Sequence, residues 1–322
     1  LAAEDAGLRL AAVDALGQWP DAGIAANILA GVVRKPAARD DRDAAFDACL
    51  RQLRAWKTGP AAQRGALYIE ALGWAKSPAE KKKVISGMAD APTLDTLAKA
   101  CECMSDAAIA HEANIAALRI AKTVAGAAPE KARELVDAAL KSGDEALKKD
   151  AEGIAKMMEG FQNFLVAWEI SGPYSEQGKT CENLPEASFA PETDPANAAW
   201  RIMPMGLNPG ATFVCDMLQA IDDEGSQVVY LRTQVTVPKE CPALLEIGSN
   251  DGVKVWLNGQ VLETIPGGRA LAVDQDKLPV TLKPENDLLI AVYNCGGPWE
   301  LCARIVTPDG GAVEGLKAGL PK

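Results

Sequence analysis

A change of pattern near residue 160 constrains the fold of this 322-residue chain more than any other feature. Before it, apolar residues recur three and four positions apart, the spacing that lines one face of a helix. In "LRLAAVDALGQWPDAGIAANILAGVVRK", Leu8, Ala11, Ala12, Ala15 and Leu16 form one stripe, Gly17 to Asp21 supply a turn, and Ile24, Ile28 and Leu29 open a second stripe. That is an antiparallel helix pair. Similar units recur at "DAAFDACLRQLRAW", "EKKKVISGMADAPTLDTLAKACECM", "IAHEANIAALRIAKTV" and "EALKKDAEGIAKMM", at uneven intervals of about 40 residues. Each pair can bury its stripe only against its neighbours, which predicts a curved α-solenoid over residues 1–159. The chain begins at Leu1 inside a stretch that already reads as helix, so a true start and any targeting signal are expected to precede it.

From Phe161 onward Gly, Pro, Asn and Asp become frequent, and short β-type runs follow one another: "FLVAWEISG", "AWRIMP", "TFVCDM", "VVYLRTQVTV", "ALLEIGS", "GVKVWLNG", "LPVTL", "DLLIAVYN" and "ELCARIV". With no convincing helix between them, these runs predict an antiparallel β-sandwich over residues 160–322. Jelly-roll topology is expected, because up-and-down barrels seldom carry loops so variable. The chain as a whole reads as multidomain α and β, in keeping with a length at which single cores stop growing.

Charge is spread unevenly between the two parts. Residues 161–322 hold 11 Lys+Arg against 21 Asp+Glu, whereas residues 1–160 hold 22 against 23, so nearly all of the formal charge of -11 lies in the second. An acidic surface without basic patches argues against nucleic acid and anionic lipid. No apolar run approaches the roughly 20 residues of a membrane span, so no membrane insertion is expected. Neutral polar ligands and cations remain.

The eight cysteines point to an oxidising, extracytoplasmic setting: periplasmic, cell-surface or secreted. Cys49, Cys101 and Cys103 precede the boundary, and Cys181, Cys215, Cys241, Cys295 and Cys302 follow it. Both counts are odd, so complete pairing requires a bridge between the parts; otherwise each part keeps a free thiol. No CxxC or Cys/His cluster suggests zinc. Cys295 and Cys302 flank the Gly296 to Leu301 connection symmetrically, and an in-register hairpin there would bring them within disulfide reach. The alternative is a reduced Cys302 in the core.

"RLAAVDALGQWPD", with Leu16, Gly17, Trp19, Pro20 and Asp21, resembles HEAT repeats of the kind found in planctomycete and verrucomicrobial proteins. The segment from "YLRTQVTV" to "ARIVTPDG" resembles the galactose-binding-like jelly roll that accompanies such repeats, and more distantly the sugar-binding domain of family 2 glycoside hydrolases. The residues that carry this resemblance are Gly248 to Gly252, Trp256 to Gly259, Asp274 to Lys277, and Trp299. The first likeness implies protein interaction without chemistry. The second implies carbohydrate binding, although many such domains use the fold only for packing.

Catalytic groups are sparse. The only histidine, His111, lies in a helical setting, so Ser-His-Asp and Cys-His systems have no base in the sandwich. Carboxylates are plentiful there, but no spacing selects a glycosidase pair. The expectation is a protein that is not an enzyme. In "GSNDGVKVWLNGQ", Val253, Val255 and Leu257 point to the core while Lys254, Trp256 and Asn258 point outward. Trp256 is then either a sugar-stacking platform or a ring covered by a loop or the solenoid. Asn258-Gly259 has hairpin-turn chemistry. Asn250 and Asp251 either cap their own turn or hydrogen-bond sugar hydroxyls. Trp299, approached by glycines in "NCGGPWEL" and preceded by Asn294, is the loop-borne aromatic of lectin-like sites. Asp274 and Asp276 suggest a shared calcium, with a plain polar loop as the alternative.

Two functions from different classes fit this reading: a binding protein whose sandwich takes carbohydrate or another polar ligand while the solenoid docks a protein partner, and a structural subunit of an envelope or multi-protein assembly. An open concave surface around Trp299, Asn294 and Asn250 favours the first; burial of both Trp299 and Trp256 favours the second. A third reading is the accessory region of a larger carbohydrate-active enzyme.

Overall fold

The computed structural model describes residues 4–57, 59–221 and 225–321. Leu1 lies outside the described residues, and the first helix opens at Ala6. Two compact units emerge: Leu1–Lys122 with Asp137–Ala151, and Thr123–Val136 with Glu152–Lys322. Residues 123–136 and 152–159, helical by pattern, therefore group with the second unit although the composition break falls near 160.

Nine helices run through the described residues before the first strand: α1 (Ala6–Leu16), α2 (Ala22–Arg34), α3 (Arg39–Ala55), α4 (Ala61–Trp74), α5 (Pro78–Met88), α6 (Leu94–Cys103), α7 (Ala110–Val124), α8 (Pro129–Leu140) and α9 (Glu145–Glu159). Their starts follow from local chemistry. Asp5 and Asp21 accept from the backbone N–H groups of Leu8 and Ile24 at 2.8 and 2.9 Å, satisfying donors that a helix start leaves unpaired. Ser77 does the same for Glu80 ahead of Pro78, and Thr93 with Thr96 forms a reciprocal capping box.

Small residues set the spacing within the first unit. α2 buries Ala25, Ala26, Leu29 and Ala30, and α3 buries Ala45, Ala48, Cys49 and Leu53. The approach is close enough for the Cys49 thiol to reach the Ala26 carbonyl at 3.5 Å. Gly87 on α5 faces the Tyr68 ring of α4 so closely that a Cβ there would stand 2.4 Å from it. Arg42, 3 % exposed, fastens α3 to the start of α5 through Glu80 at 2.9 Å and to the Trp74 carbonyl. Ile24 and Ile28, expected within an apolar stripe, are 56 and 41 % exposed on the outer side of α2.

The strands of the second unit are β1 (Glu169–Tyr174), β2 (Arg201–Ile202), β3 (Cys215–Asp216), β4 (Gln227–Thr236), β5 (Cys241–Asn250), β6 (Val253–Leu257), β7 (Gln260–Ile265), β8 (Asp276–Leu282), β9 (Glu285–Asn294), β10 (Glu300–Val306) and β11 (Lys317–Gly319). Among the described residues two short α-helices interrupt them, α10 (Ala190–Thr193) and α11 (Met217–Ile221), where the sequence pattern offers no convincing helix. Both are a single turn started by local geometry, too short for periodicity to register. One antiparallel sheet runs β2-β1-β4-β9-β6-β7 with β11 also on β4, and the other runs β3-β10-β5-β8. Their facing sides bury Val229, Leu231, Ile290, Val292, Val253 and Val255 from the first sheet, and Leu245, Ile247, Leu301 and Ile305 from the second. Trp299 joins them, its indole N–H donating to the Val292 carbonyl at 3.1 Å.

The turn Ser249 to Gly252 does more than reverse a strand. β5 belongs to the four-stranded sheet and β6 to the seven-stranded one, so these residues carry the chain from one layer to the other. Gly252 accepts from the Tyr293 N–H at 2.9 Å, and a Cβ on Gly252 would lie 2.7 Å from the Ile265 carbonyl. Asn258 and Gly259 form the tight connection between β6 and β7 with φ of +53° and +78°, as Asn-Gly favours.

Candidate functional site

The structure draws most of the residues singled out in the sequence into one closed network at the β5–β6 crossing. Trp299 is not a loop-borne platform: its ring is wholly buried. Asn294, 0 % exposed, accepts from the Gly296 N–H at 2.8 Å, which turns the glycine-rich loop back on itself. Asp251 accepts from the N–H groups of Cys295 at 2.6 Å and Arg269 at 3.2 Å. With its amide set to suit its neighbours, Asn250 donates to the Pro298 carbonyl at 2.8 Å. These side chains cap and lock loops, and Trp299, Asn294 and Asp251 are buried, so the three do not form an open platform for a ligand.

Arg269, which nothing in the spacing selects, holds the network together. Its guanidinium reaches Asp276 at 2.9 and 2.5 Å and Ser249 Oγ at 2.6 Å. Asp274 instead pairs with Arg304 on β10. The two carboxylates expected to share a calcium are thus each neutralised by a different arginine, and no group of three or more metal-ligating side chains occurs among the described residues. Arg304 also meets Glu246 at 2.8 Å, as does Lys277. Burial would raise the Glu246 carboxyl, yet these two cations outweigh it and hold the group below the ordinary carboxylate range.

The disulfide is Cys181–Cys295, with Cα atoms 5.1 Å apart, and not the expected Cys295–Cys302. The reason is topological. β9 and β10 lie in different sheets, so the chain between them is no in-register hairpin, and Cys302 faces Gly248 across β5. Cys302 stays a buried thiol, as do Cys49, Cys103 and Cys215. Burial pushes the Cys49 thiol up to about 12.

Cys181 belongs to the long connection between β1 and β2, residues 175–200, which crosses the outer face of the seven-stranded sheet. Trp256 does point to that face, and the connection covers it to 8 % exposure. Leu184 packs with Tyr230, Trp256, Ala291 and Tyr293, while Phe189 and Trp200 lie alongside. The face is thus a second, smaller apolar core. Beyond it a cleft of about 640 Å³ opens between the connection and the sheet. Trp200, Glu192 and Thr193 form one side of it, and Trp256, Arg232, Gln234 and Asp287 the other.

Among the described residues that line this cleft, Glu192 and Arg232 are paired and Asp287 has no ion-pair partner. Glu192 accepts from the Tyr230 hydroxyl and from Lys254 at 3.2 Å. Arg232 meets Glu169 at 2.7 Å. Both cations also lie over indoles, Arg232 at 4.1 Å from the centre of Trp200 and Lys254 at 4.8 Å from that of Trp256. Burial, reinforced by the bond to Glu192, pushes the Tyr230 hydroxyl well above its usual range, so it stays a donor. The Trp200 N–H is held by the Pro195 carbonyl at 2.9 Å, which fixes the ring at the cleft wall.

The arrangement can hold a molecule that offers apolar ring faces to indoles and polar edges to hydroxyl, amide and carboxylate groups. Sequence reasoning passed over Trp200, Glu192 and Arg232. The signal that could have found them is the length of the connection, since long loops inside compact units are commonly functional. His111 stands apart in the first unit, exposed and 3.5 Å from Asp144.

No family model matches this chain, and no curated protein matches it. Among solved structures it is similar to the PA14 domain of the MpAFP antifreeze protein, at 12 % identity over 49 % of this chain and 75 % of that one, with a TM-score of 0.26. A PA14 sugar-binding domain from an RTX adhesin matches at 18 % identity over 48 % of this chain and 74 % of that one, with a TM-score of 0.25. A glycosyl hydrolase family 2 member from Bacteroides cellulosilyticus DSM 14838 matches at 15 % identity over 45 % of this chain and 20 % of that one, with a TM-score of 0.27.

Proposed function

We propose that the second unit is a non-catalytic module of jelly-roll type whose cleft between residues 175–200 and the seven-stranded sheet takes a carbohydrate. The observation that carries this reading is a cleft of about 640 Å³ in which the partly buried Trp200 indole stands beside hydrogen-bonding side chains, with Trp256 almost wholly buried in its lining. Pyranose C–H faces pack against indole, and hydroxyls match the surrounding polar groups. The helical first unit, read as a HEAT-like solenoid, supplies a surface for a protein partner. The disulfide supports an extracytoplasmic place of work. The experiment is a glycan array run with the protein and with Trp200→Ala, folding being checked by circular dichroism. Binding that the variant loses supports the reading; silence from the unmodified protein defeats it.

A second reading, a structural subunit of a multi-protein assembly, is favoured by one observation: Trp299 and Trp256 are both buried, at 0 and 8 % exposure. Under it the array stays silent and the protein co-purifies in a defined stoichiometric complex.

A further inference from the structure

We infer that the ligand of this cleft is a glycan without acidic groups. The inference rests on the carbohydrate reading above and narrows it through the charges around the cleft. Acidic sugars are normally held by an arginine or lysine with charge to spare. Here Arg232 and Lys254 are each held by a carboxylate of the protein, Glu169 at 2.7 Å and Glu192 at 3.2 Å. All four side chains are at least largely buried, with exposures of 27, 16, 18 and 11 % for Arg232, Lys254, Glu169 and Glu192, so solvent screens these pairs weakly. Each cation also spends one face on an indole. A ligand carboxylate would have to share Arg232 with Glu169, whose charge already offsets it, and pass the Trp200 ring.

The charge left uncompensated has the opposite sign. Asp287 lines the cleft, is exposed, and has no ion-pair partner among the described residues. Around it, residues 161–322 carry 21 acidic against 11 basic side chains. A uronate or sulfate therefore meets repulsion on approach and finds no free cation among the described residues that line the cleft. A neutral hexose loses nothing to either effect. An amino sugar falls in the permitted class as well.

The test compares neutral hexose oligosaccharides with the same oligosaccharides oxidised to uronates at C6, by titration calorimetry at low and high salt. The neutral forms should bind, and the uronates should bind about tenfold more weakly at low salt, with the gap shrinking as salt rises. Asp287→Lys should narrow the gap. Uronates that bind as tightly as the neutral forms, or more tightly, overturn the inference and leave carbohydrate binding standing. A gap that Asp287→Lys leaves unchanged overturns the charge argument even if neutral sugars are preferred. Failure of both sets to bind defeats the carbohydrate reading itself.

Discussion

The disulfide between Cys181 and Cys295 closes a loop of 114 residues, which makes it the covalent tie with the largest expected leverage on the second unit. In the chain-entropy account, closing a loop of that length removes about 4.8 kcal/mol of freedom from the unfolded chain. Part of this is returned when the bridge is absent, because residual structure already restricts the unfolded ensemble. The connection also keeps its other anchors, Leu184 in the outer apolar core and Glu192 on Lys254. Replacing both cysteines by serine should therefore cost the second unit about 3 kcal/mol, seen as a fall in the guanidinium midpoint with a somewhat steeper slope, because the chain without the bridge unfolds to a less compact ensemble. Hydrogen exchange should accelerate first in residues 175–200, and a non-reducing peptide map should show a Cys181–Cys295 pair. A loss below about 1 kcal/mol, against the 2–5 usual for a native bridge, or a Cys295–Cys302 peptide, would refute the reasoning.

Three further outcomes test the packing and the charge networks. Gly87→Ala would stabilise an exposed helix, but here the new methyl meets the buried Tyr68 ring at 2.4 Å, so a loss of about 2 kcal/mol is expected in thermal unfolding; a gain would show that the two helices are not in close contact. Arg269→Met should cost about 3 kcal/mol and expose the Ser249 to Gly252 crossing to proteolysis, because it strands Asp276 and Ser249 without their shared donor. Unchanged proteolysis would mean the crossing is held by its backbone bonds alone. Glu246, whose folded carboxyl titrates below its usual range, contributes stability that is present above about pH 4.3 and is lost as pH falls through the depressed value. Glu246→Gln should flatten that acid limb of the stability profile, and identical limbs in both proteins would contradict the ion-pair account.

Helices and strands were legible because each rests on a local rule. The stripes of Ala and Leu, the Asp and Thr caps and the Asn258-Gly259 turn involve residues close in sequence, and most of the strands fall where β-type runs stand. β7 escaped because "QVLETI" lies at the edge of its sheet, with mixed rather than alternating exposure. What the sequence could not convey is which strands share a sheet. The pairing of Cys295 with Cys302 assumed that β9 and β10 form a hairpin, and the platform at Trp299 assumed that its glycine loop faces solvent; both fail for one reason, that the chain changes layers between those strands. A second change of layer, between β7 and β8, carries Arg269 to Asp276 and Ser249, a partnership invisible to periodicity.

The connection over residues 175–200 ties stability and binding to the same side chains. Without it, Trp256, Tyr230 and Tyr293 would form an apolar patch on the sheet, of the kind that promotes association. Leu184 removes that liability, and complete burial of a leucine side chain contributes about 2 kcal/mol. The half of the connection after Phe189 keeps Trp200 alongside that packing and presents it, with Glu192, to the cleft. Each is then fixed by a cation on the sheet, Glu192 by Lys254 and Trp200 by Arg232. These contacts position the wall of the cleft, and they also consume the positive charge that an acidic ligand would need. The proposed preference for ligands without acidic groups thus follows from how the wall is held in place, and under that proposal loosening the wall and admitting acidic ligands are one physical change.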